Sequence, residues 1–122
     1  MDAEQALHSF WSSFDLPAYD ENSVPENAQL PYITYSVSYD SFGSDVSMTA
    51  SVWDRTMSWE RLTSKVHEIS HAITDGGRIL HTDNGGIWLR KGNPFYQRMG
   101  DVDDSIKRMY INVFAEYIHG GY

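Results

Sequence analysis

Apolar and polar residues alternate with a period of two in stretches far apart along this chain, and that pattern limits the folds open to it more than any other feature. In Tyr32–Tyr39, Ile33, Tyr35, Val37 and Tyr39 share one side while Thr34, Ser36 and Ser38 share the other. In Asp45–Arg55, Val46, Met48, Ala50 and Val52 lie opposite Ser47, Thr49 and Ser51. In Ile106–Ile118, Ile111, Val113, Ala115 and Tyr117 alternate with Asn112, Phe114 and Glu116. Strands of this kind bury one face and leave the other wet, as antiparallel sheets do. The turn formers of DSFGSD (residues 40–45) predict a first hairpin, and RILHT-DNGG-IWLRK predicts a second with Asn84-Gly85 as its turn signal.

Two segments carry the helical period instead. Ala3, Leu7, Phe10, Trp11 and Phe14 form a stripe with Asp2 placed to cap it, and Leu16-Pro17 ends it, because the residue before proline avoids the helical region. Leu62, Val66, Ile69 and Ile73 form a second stripe with Trp59, with Ser58 as cap and Asp75-Gly76-Gly77 as a glycine stop. Residues 17–31, with three prolines and three acids, and residues 91–105 read as long loops, of the length usually kept for function. The order α-β-β-α-β-β-β predicts one α+β domain over residues 1–122. Its sheet is expected to be mostly antiparallel (mixed), of four to five strands, with two helices on one face.

With 41% apolar and 14% aromatic residues the chain can bury a core, and with no cysteine it has neither disulfides nor thiolate-held metals. No apolar run approaches the roughly 20 residues of a membrane helix, and MDAEQALHSFW, with two acids and no base, is unlike a secretory signal. The expectation is a soluble, intracellular protein without a membrane partner. Charge is unevenly spread: residues 1–60 hold ten acids against Arg55 alone, net −9, and residues 61–122 hold seven acids against eight bases, net +1. Acidity opposes gripping a phosphate backbone and favours solubility. The asymmetry also lets the acidic surface of one copy meet Arg90, Lys91, Arg98 or Arg108 of the next, as in head-to-tail rings.

His67-Glu68-Ile69-Ser70-His71 spells HExxH, in which two histidines one turn apart bind zinc and the glutamate activates its water. A small zinc-dependent hydrolase using His67, Glu68 and His71 is therefore one reading. Against it, five His and six Glu in random order give the pattern about once in a hundred such chains. A catalytic zinc needs a third ligand, and the extended motif would put it at Gly77; His81 and Asp83 do not match the spacing. At about 100° per residue, His67 and His71 fall far from the apolar stripe, beside Glu60, Ser64 and Glu68. The preferred expectation is a solvated helix face with no metal, no cofactor and no catalytic residue. The glycine pairs lack phosphate-loop spacing, and Asp101, Asp103 and Asp104 lack the glycine and glutamate of a calcium loop.

The runs FWSSFDLPAYDENSVP and LPYITYSVSYDSFGSDVSMTASVWDRTMSW, then GGRILHTDNGGIWLRKGNPFYQRMGD and IKRMYINVFAEYI, cover nearly the whole chain. Their overall pattern resembles the tail terminator or tail completion (minor capsid) proteins of long-tailed phages of Gram-positive bacteria, a family similar to the phage lambda tail terminator. HEISH is not part of that pattern. The resemblance implies a virion structural protein of the head–tail junction, assembled in the host cytoplasm and not an enzyme. It implies a six-membered homo-oligomeric ring that caps the major tail tube protein, ends its polymerisation and meets the head connector or adaptor. Genome DNA would pass an acidic lumen without specific binding. A head completion or adaptor protein is the alternative within that class.

Overall fold

A computed structural model describes residues 1–37 and 46–119, apart from the side chains of Val46 and His119. The first helix, α1 (Ala3–Trp11), starts from a capping box: Asp2 Oδ1 accepts from the Gln5 amide at 2.8 Å and the Asp2 amide donates to Gln5 Oε1 at 2.9 Å. A 3₁₀ turn, Ser12–Phe14, follows, and Asp15 at φ 61° turns the chain out before Pro17. Three strands come next: β1 (Ala18–Asp20), β2 (Tyr32–Tyr35) and β3 (Val46–Arg55). Helix α2 (Glu60–Ile73) precedes β4 (Arg78–Thr82), β5 (Gly85–Gly100) and β6 (Ile106–His119). The helix begins one residue later than a Ser58 cap would put it, yet Ser58 Oγ still accepts from the Glu60 amide at 3.1 Å. At its other end Thr74, at φ 66°, takes the capping position ahead of the glycines.

All six strands form one sheet in the order β1-β2-β3-β6-β5-β4. Every neighbouring pair is antiparallel except β1 and β2, which run parallel with Ala18 beside Ile33. The α+β class, the mixed sheet and the two helices on one face match expectation; four to five strands and the order α-β-β-α-β-β-β do not. The extra strand is β1, inside the segment read as loop 17–31. Three residues are too few for alternation to show, and Ala18 is held by burial. The turn expected at residues 40–45 lies outside the described residues.

Residues 91–105 are also not one long loop. Strand β5 runs on to Gly100, interrupted by a bulge between Lys91 and Tyr96 where the register with β6 shifts. The Gly-Asn-Pro of KGNPF suggested a loop, but the chain stays in the sheet. Asn112 Nδ2 donates to the Pro94 carbonyl at 3.0 Å, and a Cβ on Gly92 would lie 2.8 Å from Asn112, so only glycine passes there. The true turn is shorter. Asp103 there accepts from the Ser105 hydroxyl at 2.7 Å and amide at 2.9 Å, and these bonds, then Arg55, hold its carboxyl below its ordinary pKa. In the second hairpin the two-residue turn is Asp83-Asn84, and Gly85 and Gly86 belong to β5.

Helix α2 packs on β3, β5 and β6, while α1 touches both β1 and β4, the two outermost strands. One short helix can reach both edges of a six-stranded sheet only if the sheet curls around it. The core lies between this concave face and the helices: Leu7, Leu62, Val66, Ile69 and Ile73 meet Ile33, Val52, Ile87, Leu89, Ile111 and Val113, all at most 2% exposed.

Candidate interaction surface

The other, convex face of the sheet carries no helix. Alternation puts Tyr32 and Thr34 of β2, Ser51 and Trp53 of β3, Arg108, Tyr110, Asn112 and Phe114 of β6, and Trp88 and Arg90 of β5 on it. Its β2–β3 half is internally tied. Trp53 Nε1 donates to Thr34 Oγ1 at 2.9 Å, and Arg108 Nε donates to Ser51 Oγ at 2.9 Å. The Arg108 guanidinium lies 4.6 Å from the Trp53 ring and 5.1 Å from Tyr110, and Tyr19 meets Tyr32 edge to face at 5.6 Å. The β4–β5 half is more open. Arg90 stacks 4.3 Å over Trp88, with Phe114 beside it in register and Ile79 and Ile118 close by, half of Ile79 being exposed.

The sequence-derived cations divide between the two sides. Arg90 and Arg108 stand on the open face. Arg98 lies on the helix side, 5.0 Å from the Trp59 ring, and Lys91 reaches Asp75 at 3.5 Å and sits 5.9 Å over Phe95. Arg98 and Lys91 thus pack against their own chain. What the sequence reading missed is the array of rings around Arg90 and Arg108. Its signal was present in β6, where the residues alternating with the apolar set are Arg108, Tyr110, Asn112 and Phe114 rather than small hydroxyls.

The HExxH residues sit where the helical projection puts them. His67, Glu68 and His71 are exposed on α2, Glu68 pairs with Lys65 at 2.9 Å, and the His67 ring lies 6.2 Å from that of Tyr96. Among the described residues, no three His, Asp or Glu side chains gather as metal ligands would.

The second notable surface is acidic. An open groove of about 680 Å³ runs between α1 and the end of β1 and β2, lined by Glu4, Gln5, His8, Asp20, Tyr35 and Val37 among others. His8 Nδ1 and the Tyr35 hydroxyl lie 3.1 Å apart. Burial raises the Tyr35 pKa, and the charges of Asp20 and then Glu4 raise it further, so both carboxylates act on the groove. Burial, and then Glu4, push the Tyr117 hydroxyl up to about 12.

The fold has a solved counterpart. A chain in the structure of the virion of a native gene transfer agent (GTA) particle superposes with a TM-score of 0.56, covering 97% of this chain and 87% of that one. The two are 14% identical, so the likeness is one of fold. No family model matches the sequence, and neither does any curated protein sequence. No described helix is long and apolar enough to cross a membrane.

Proposed function

We propose that this chain is a structural protein of a phage-like tailed virion. Six copies form a ring at the head–tail junction that caps the tail tube, ends its growth and offers the head connector a new surface. The observation that carries this reading is the fold likeness, over almost the whole chain, to a chain of a gene transfer agent virion. The resemblance of the sequence to tail terminator proteins points the same way.

The surfaces suit that role. A tube of identical rings ends in an open heterologous surface that accepts further rings indefinitely. A terminator must bind that end while presenting something the tube protein cannot use. A curled sheet with a ring-bearing convex face and an acidic groove elsewhere offers two unlike surfaces on one small domain. The role asks no chemistry of His67, Glu68 or His71, and the genome passes without specific binding because the protein is net acidic.

The test is deletion of the gene from the phage or prophage that encodes it, with lysates viewed by electron microscopy. A terminator gives overlong tails beside filled heads that carry none. Tails of normal length beside heads that leak DNA indicate a head completion or adaptor protein instead. Intact infectious particles would remove the protein from the junction.

A further inference from the structure

We propose that the open face of the sheet, around Arg90 and Arg108, is a docking surface for a second copy of this chain, which presents to it the acidic groove between α1 and the β1–β2 edge. This rests on the reading as a ring-forming virion protein and names the surfaces by which one copy would hold the next.

Three observations favour a second copy as the occupant. The first is composition. The face holds exposed Ile79, Phe114 and Ile118 together with Trp88, Trp53 and two arginines on aromatic rings, the residue types that carry most binding energy at protein interfaces. A guanidinium already seated on a ring loses little freedom when a carboxylate arrives, and it bonds carboxylates in a planar fork.

The second is charge. Within an acidic chain, Arg90 and Arg108 outnumber the acid that β6 places on the same face, Glu116. The groove is its complement: Glu4 and Asp20 face it, and none of the described residues lining it is Lys or Arg. Glu21, next to Asp20 in the chain, is exposed as well.

The third is placement. The cationic face is the convex outside of the sheet, whereas the groove lies on the helix-covered side where α1 meets β1 and His8 approaches Tyr35 of β2. One copy cannot bring them together. Two unlike surfaces on one chain give a heterologous contact, which propagates and closes into a ring when its rotation permits.

The experiment is sedimentation velocity of the purified full-length protein between about 0.1 and 0.5 M salt, over which the Debye length falls from about 10 Å to below about 5 Å. Self-association is expected at low salt and is expected to weaken as salt rises. Arg90→Glu with Arg108→Glu reverses the face, and Glu4→Lys with Asp20→Lys reverses the groove. Each variant alone is expected to lose association by on the order of a hundredfold. An equimolar mixture of the two regains it, since each then meets an opposite charge on its neighbour. Circular dichroism checks that the variants fold. Should the face double fail to fold, Arg90→Glu alone, which leaves the Arg108–Ser51 bond in place, replaces it.

A protein monomeric at every salt concentration overturns the proposal. So do variants that associate like the parent, or folded variants whose mixture stays apart. Duplex DNA retained by the parent and released by Arg90→Glu would assign the face to nucleic acid instead. None of these results alters the deletion phenotype, so the docking surfaces and the junction role stand or fall separately.

Discussion

On β6, Met109, Ile111, Val113 and Ala115 point toward the helices and are at most 2% exposed, while Arg108, Tyr110, Asn112 and Phe114 alternate with them and point away. One strand therefore serves two surfaces made on different principles. On the concave side β6 contributes only apolar side chains, so cohesion there comes from area removed from water and from close packing. The convex side uses large rings that carry a polar handle or a stacked cation, and its Thr34 and Ser51 hydroxyls accept from Trp53 and Arg108. Such a layer is ordered without being covered. The first surface holds the domain together, and the second is the one that the proposed docking of another copy would cover.

The sharpest way to break that contrast is to remove volume from the concave side. Ile111 is fully buried beneath the helices, and Ile111→Ala loses both transfer free energy and packing. A loss of about 3 kcal/mol is expected, read as a fall in the urea midpoint at unchanged slope. A loss below about 1 kcal/mol would mean that the helices are not packed on this face as described.

How far the sequence revealed this depended on whether a segment was long enough to show its period. The α2 stripe of Leu62, Val66, Ile69 and Ile73 was legible because it spans more than three turns and nothing polar interrupts it. The second hairpin was legible from its glycines, although Gly85 and Gly86 entered the strand rather than the turn. Strand β1 was not legible: three residues between prolines and acids show no alternation, and its pairing with β2 is a tertiary event. The far half of β5 was hidden by its own bulge, because Gly92 and Pro94 are turn residues by local rule. The contact that keeps them in the sheet, from Asn112, lies 18 residues away along the chain. Of the candidate surface, charge asymmetry pointed to Arg90 and Arg108 but could not separate them from Arg98 and Lys91. Only strand register does that.

A smaller effect tests whether the convex face is internally ordered. Trp53→Phe keeps a ring beneath Arg108 but removes the indole N–H that bonds the Thr34 hydroxyl, and Thr34 is 7% exposed. The expected cost is about 1 kcal/mol, the usual net worth of one neutral hydrogen bond. Thermal denaturation of Trp53→Phe beside Thr34→Val and the double variant measures it. Additive losses would show that the two groups are not coupled and that this half of the face is ordered by packing alone.

The smallest expected change in stability is the most telling for the contrast. Phe114 lies one residue from Val113 on the same strand, but it is 40% exposed and sits between Ser47 and Arg90 in the sheet register. If the convex face were a second core layer, Phe114→Ser would destabilise the fold nearly as much as Ile111→Ala. If the face is held in reserve for a partner, the substitution should stay within about 0.5 kcal/mol of the parent in urea denaturation, as exposed substitutions do. Its effect should then emerge only when the surface is covered, as weaker self-association at low salt in the same buffer. Serine keeps β6 polar and strand-compatible at this position and leaves Arg90 stacked on Trp88, so charge is unchanged and only the exposed ring is lost. A large loss of stability with association intact would place Phe114 with the core and leave the convex face without its apolar anchor.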